Sequence, residues 1–177
     1  MNINKNILIT GNRNAGKTFL VKRMIDRFGY IKIAGFFTKK EENGTVTFRV
    51  WDNFYLHNNE PEIVIFDPIS MAIKKNIFDE IGVWILKYAL NNADLIVCDE
   101  LGRFEVGCKK FTETVFDVLD SDRIVIAVIK NENNPFLDRI RSRNDIVLYK
   151  IDEINRDEVQ SKISNLLKSL VKGLFNQ

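Results

Sequence analysis

Residues 7–18 read Ile7-Leu8-Ile9-Thr10-Gly11-Asn12-Arg13-Asn14-Ala15-Gly16-Lys17-Thr18, a short apolar run that opens directly into G-x-x-x-x-G-K-T. That spacing is the one a phosphate-binding loop needs. Glycines let the backbone turn so that successive N–H groups converge on a β-phosphate, and the following helix adds the positive end of its dipole. Gly11, Asn12, Arg13, Asn14, Ala15 and Gly16 are expected to form the cradle, and Lys17 to bridge the β- and γ-phosphates. The Thr18 hydroxyl is expected to ligate Mg²⁺. The flanks agree, because Phe19-Leu20-Val21-Lys22-Arg23-Met24-Ile25 is amphipathic at helical period.

Such a loop needs a carboxylate at the end of a buried strand to hold the metal. Leu95-Ile96-Val97-Cys98-Asp99-Glu100 supplies it. Asp99 is the expected metal-side carboxylate, and Glu100 the group that orients and polarises an attacking water. An acidic pair of this kind implies a sheet with one strand inserted between the loop strand and the carboxylate strand. Asp79-Glu80-Ile81-Gly82 nearly duplicates Asp99-Glu100-Leu101-Gly102, but it follows the polar Lys74-Lys75-Asn76 and precedes apolar residues at helical spacing. It reads as an acidic helical turn.

Outward from these motifs, short β-branched runs alternate with longer segments of helical period, the pattern of an α/β protein with a mainly parallel sheet flanked by helices. Strands are expected at 7–10, 31–38, 46–51, 63–66, 94–99, 123–129 and 146–151. Helices are expected at 16–28, 75–91, 109–120, 136–141 and 156–175. Val46 to Trp51 alternates apolar and polar residues after the turn Glu42-Asn43-Gly44, so an added β-hairpin is expected within 31–51. In the last helix Val159, Ile163, Leu166, Leu167, Leu170, Val171 and Leu174 form one apolar stripe, which reads as a face docked on the sheet. Polar residues 57–62 read as a surface loop.

The 177 residues are 45% hydrophobic and 28% charged, with three Pro and nine Gly, a composition that excludes disorder and fibrous repeats. Residues 1–177 read as a single P-loop domain. With 26 Lys plus Arg against 24 Asp plus Glu the formal charge is +2, so no nucleic-acid partner is expected from charge. No run approaches the roughly 20 apolar residues that span a bilayer, and no signal peptide is evident, so no membrane association is expected. Cys98, Cys108 and the single His57 make neither a zinc set nor a disulfide framework, which suits a reducing cytoplasm. A monomer is expected.

The stretches Ile9-Thr10-Gly11, Gly16-Lys17-Thr18, Ala34-Gly35-Phe36-Phe37-Thr38, Asp99-Glu100-Leu101-Gly102-Arg103-Phe104-Glu105 and Asn155-Arg156-Asp157 agree in order and spacing, over nearly the whole chain, with one family. The sequence resembles the THEP-type nucleoside-triphosphatases, also called cancer-related NTPases. The resemblance implies a RecA-like P-loop fold and slow, Mg²⁺-dependent hydrolysis of several nucleoside triphosphates. Arg103 and Phe104 stand where the family has Lys and Met. The loop interior Asn12-Arg13-Asn14-Ala15, the segment Lys39 to Phe48 and the strand end Ile129-Lys130-Asn131 also depart from its pattern.

A cation at the γ-phosphate is expected from Arg103, which follows the acidic pair closely; Lys110, Arg139, Arg141, Arg143 and Arg156 are the other candidates. Asn155 and Arg156 lie where P-loop folds contact the nucleobase, although Asn155 or Asp157 would equally serve as a helix cap. His57 is given no role. Cys98 reads as a small core residue, and Cys108 as a reactive thiol only if its pKa is lowered. Trp51 and Trp84 suit strand and helix packing. The leading reading is a triphosphate hydrolase with broad base tolerance. A nucleotide or small-molecule kinase with Arg139-Ile140-Arg141-Ser142-Arg143 in its lid, or a nucleotide-dependent RNA- or protein-associated switch, are the alternatives.

Overall fold

The computed structural model describes residues 4–53 and 62–175. The chain runs β1 (Asn6–Gly11), α1 (Lys17–Ile25), β2 (Ile33–Lys40), β3 (Val46–Asp52), β4 (Glu62–Asp67) and β5 (Ala72–Ile73). A continuous helical segment follows, α2 (Lys75–Ile77), a π-turn (Phe78–Gly82) and α3 (Val83–Asn92). Then come β6 (Leu95–Leu101), α4 (Lys109–Asp120), β7 (Ile124–Ile129), α5 (Pro135–Arg141), β8 (Ile146–Ile151) and α6 (Arg156–Leu174). Residues 57–61 of the expected surface loop, His57 among them, lie outside the described residues.

The strands form one sheet in the order β5-β4-β3-β2-β6-β7-β1-β8. β2, β6, β7, β1 and β8 are mutually parallel, so crossover helices cover both faces and the central strands read as unbroken apolar runs. Alternate residues of each strand feed different cores. Ile7, Ile9, Leu95, Val97, Ile126 and Val128 pack under α1 and α6, while Leu8, Ile96, Cys98, Val125 and Ala127 pack under α3, α4 and α5. The stripe of α6 is buried as its spacing implies.

The expected hairpin is present, with β2 and β3 paired antiparallel, but the sheet goes further. β4 pairs with β3, and the two-residue β5 with β4, so the antiparallel extension has three strands beyond β2. Beneath it Phe36, Phe48, Phe78 and Phe111 form a closed ring of contacts with centroids 4.6–5.7 Å apart, a geometry that adds to simple area burial. The Asp79–Glu80 pair lies in the π-turn, where Asp79 Oδ1 accepts a hydrogen bond from Phe111 N–H at 2.9 Å and so serves the start of α4. Trp51 packs edge-on against Phe37, whereas Trp84 stacks on Tyr88 at the surface and is 63% exposed, outside the core that its helical spacing suggested. Among the described residues no helix is long and apolar enough to cross a membrane.

Gly35 lies where β2 meets β6, at φ +145°, and a Cβ there would stand 1.9 Å from the Val97 carbonyl oxygen. Two central parallel strands cannot separate to admit it without losing ladder hydrogen bonds. Gly35→Ala is expected to destabilise the fold by about 2 kcal/mol or more. A urea unfolding midpoint equal to that of the wild type would contradict this.

Candidate active site

The loop after β1 turns through Asn14 at φ +65° and Gly16 at φ +84° and delivers the chain into α1. Ala15 N–H donates to the Asn12 carbonyl at 3.2 Å, closing the turn. Gly16 is the N-cap of α1, and no side chain caps the helix, so its first N–H groups are left for an anion. The Lys17 ammonium folds back across the loop and donates to the carbonyls of Gly11 at 3.1 Å and Asn12 at 3.0 Å. Asn12, Arg13 and Asn14 are exposed, and Asn131 Nδ2 meets Asn12 Oδ1 at 3.4 Å.

β6 delivers the acidic pair to the same edge of the sheet. Asp99 continues the alternation of Leu95 and Val97 and therefore faces the α1 layer, where it is 2% exposed. Burial pushes its carboxyl up to about 7; a hydrogen bond with the Thr18 hydroxyl pulls the other way, Glu100 raises it, and Lys17 and Lys22 lower it. Asp99 Oδ1 has no hydrogen-bond partner. A desolvated carboxylate oxygen without a donor, beside a hydroxyl at a helix start, is a pair of hard oxygen ligands that fits Mg²⁺.

Glu100 stands in a break of the ladder, because Asp99 pairs with Val128 and Leu101 with Ile129, leaving Glu100 as the extra residue. A bulge of this kind turns a side chain out of the sheet. The Asp99–Glu100 peptide is cis. Glu100 Oε1 lies 3.5 Å from Lys17 Nζ and Oε2 lies 3.9 Å from Lys130 Nζ. Lys17, Thr18, Asp99 and Glu100 therefore converge as their spacing implied.

Arg103 does not join them. It is exposed, its guanidinium lies 5.6 Å from the Phe104 ring centroid, and among the described residues it pairs with no carboxylate. The physical reason is the turn that follows β6, which buries Glu105 and leaves Arg103 on the outside. Asn155 is likewise occupied elsewhere: its Oδ1 accepts from Asp152 N–H at 2.9 Å and its Nδ2 donates to the Lys150 carbonyl at 3.0 Å. It stands at the N-cap position of α6 with no side-chain cap bond, so its amide holds the β8–α6 turn. Arg156 does reach the loop, with Nη1 only 2.6 Å from where a Cβ on Gly16 would stand. Arg141 donates to the carbonyls of Lys130 and Glu132, both at 2.8 Å, and is a backbone anchor. Cys108 is buried and its thiol is pushed up to about 11, so it is not an activated nucleophile.

Three residues near the site had no assigned role in the sequence reading. Lys130 follows the apolar run of β7 and shares a sheet edge with Gly11 and Asp99, a placement deducible once the strand order is known. Lys22, one turn after Thr18, lies 4.2 Å from the Phe37 centroid and 5.7 Å from that of Trp51. Glu105, 1% exposed, accepts the Gly102 N–H at 2.7 Å and ties down the turn after β6; nothing in its neighbours marks it for burial.

A family model described as NTPase matches residues 6–164. Nucleoside-triphosphatase THEP1 of Thermotoga sp. (strain RQ2) is 35% identical over 173 residues, covering 92% of this chain and 95% of that protein. The crystal structure of THEP1 from the hyperthermophile Aquifex aeolicus superposes with a TM-score of 0.72 at 26% identity, over 89% of this chain and 96% of that one. The solution structure of a human cancer-related nucleoside triphosphatase has a TM-score of 0.66 at 18% identity, over 93% and 97% of the two chains, a likeness of fold.

Burial lifts Glu105, like Asp99, to about 7, against ordinary carboxylate values of 4.5 and 3.8. Between those limits the folded chain holds protons that the unfolded chain has released, so stability falls as pH rises through this window. Urea unfolding of the nucleotide-free protein from about pH 5 to pH 8 is expected to show that decline. Glu105→Gln, which has no proton to lose, is expected to make it shallower, and an unchanged slope would exclude Glu105 as a source.

Proposed function

The chain belongs to the NTPase family, that of nucleoside-triphosphatase THEP1, and from that membership we propose in-line hydrolysis of nucleoside triphosphate to diphosphate and phosphate with Mg²⁺. The observation that carries the mechanism is Glu100, turned out of the ladder and 3.5 Å from the loop lysine that would meet the γ-phosphate. Its carboxylate accepts a proton from water and aligns the oxygen for attack at phosphorus, opposite the β–γ bridging oxygen that leaves. Lys17 and the free amides of the loop and of α1 stabilise the charge that develops on the phosphate oxygens. Thr18 and Asp99 would hold Mg²⁺, which when bound neutralises the β- and γ-phosphate oxygens. We further propose that the protein acts as a monomer on free nucleotides in the cytoplasm. Slow turnover is part of this proposal, as the family resemblance implies.

Glu100→Gln keeps the shape of the side chain and removes its basicity. Phosphate release is expected to slow by roughly 10²–10⁴-fold while Mg²⁺-nucleotide binding persists. Wild-type turnover in this variant, measured on the purified protein, would exclude Glu100 as the base.

Base selectivity is expected to be weak, within about tenfold in kcat/KM among ATP, GTP, CTP and UTP, or ~1.4 kcal/mol. The segment after β7, Lys130-Asn131-Glu132-Asn133, lacks the aspartate by which GTPases read guanine. The Asn155 amide is held by backbone groups of its own turn. Beside the loop stands the Arg156 guanidinium, and the 95% exposed Ile154 lies in the turn before α6; any base stacks on such surfaces. A preference above a hundredfold for one base in a steady-state survey would reveal a polar reader and contradict the expectation.

A further inference from the structure

The Glu100 carboxylate is held between two ammonium groups that have different obligations. Lys17, 3.5 Å from Oε1, also donates to two carbonyls of the phosphate-binding loop and is the cation that triphosphate oxygens draw toward themselves. Lys130, 3.9 Å from Oε2, is anchored by groups outside the phosphate-binding loop. Its backbone N–H donates to the Leu101 carbonyl at 2.9 Å, and Arg141 grips its carbonyl at 2.8 Å. Its stem lies on Gly102, where a Cβ would stand 2.5 Å from Lys130 Cδ and 3.0 Å from Cγ. Its ammonium stands 4.9 Å from the Phe104 ring centroid, a cation–π contact, and Phe104 in turn stacks on Phe66 of β4 at 5.5 Å.

We infer that Lys130 is the positioning residue for Glu100, the cation that keeps its carboxylate aimed at the attacking water when Lys17 engages the triphosphate. The inference rests on the reading of Glu100 as the water-aligning base. Both partners are about three-quarters buried, with side-chain exposures of 28% and 23%, so their attraction is screened less than that of a surface pair. A carboxylate left without that partner would swing with the arriving substrate, and misalignment by an ångström is enough to lower a rate by about a hundredfold. Gly102 is part of the device, because any side chain there would displace the Lys130 stem.

The test compares Lys130→Met, Lys130→Arg, Glu100→Gln and the double variant Lys130→Met/Glu100→Gln, in the full chain with Mg²⁺-ATP. Lys130→Met is expected to lower kcat about 10- to 100-fold with KM within about threefold, and Lys130→Arg to recover most of the loss. In the double variant, single-turnover hydrolysis is expected to match Glu100→Gln alone within about twofold, because a residue acting through Glu100 has nothing left to position. Thermal unfolding midpoints accompany each measurement, and Lys130→Gln serves in place of the methionine variant should that one not fold. Wild-type kcat in Lys130→Met, a loss confined to KM, or losses that multiply in the double variant would each overturn the inference while leaving the role of Glu100 intact. Wild-type kcat in Glu100→Gln would overturn both.

Discussion

Val128 pairs with Ile9 on one side and with Asp99 on the other. Through that shared neighbour the phosphate-binding loop and the acidic pair leave the sheet at one edge, with a single strand between them. All later geometry depends on this register. A slip of one residue in β6 would turn Asp99 to the opposite face, away from Thr18 and α1. Side-chain size on the two faces of β6 opposes such a slip, since Leu95 and Val97 would then exchange close-packed cores with Ile96 and Cys98.

The same register places charge in a poorly solvated setting. Asp99 and Glu105 are both nearly inaccessible, and burial raises both carboxyls. Glu105 is compensated by backbone N–H donors, whereas Asp99 retains an oxygen without a donor. An uncompensated buried acceptor is costly to a fold and persists where a ligand satisfies it. The cost at Asp99 and its fitness for a divalent cation are thus one property. Lys22, held against Phe37 and Trp51, adds a further positive field from the α1 side.

The antiparallel extension touches the site as well. Phe66 of β4 stacks on Phe104, and Phe104 lies beneath the Lys130 ammonium, so the added strands back the turn that carries the acidic motif. The aromatic ring of Phe36, Phe48, Phe78 and Phe111 fixes those strands to α4 and the π-turn. In this way a feature outside the parallel core steadies one side of the candidate site.

The amino-acid sequence by itself determined the α/β alternation, the loop from Gly11 to Thr18, the acidic pair and its distinction from Asp79-Glu80, because each depends on local spacing and on burial that periodicity records. It also implied the strand between β1 and β6 and the hairpin at β2–β3. Only the tertiary structure decided which cation stands at Glu100. Arg103 is near in sequence but the turn fixed by Glu105 directs it to solvent, whereas Lys130 is thirty residues away and arrives through the parallel pairing of β6 with β7. The extra residue at Glu100, the occupation of the Asn155 amide and the approach of Arg156 to Gly16 share that origin. Local pattern reports what a segment can become; register between distant strands decides which side chains meet.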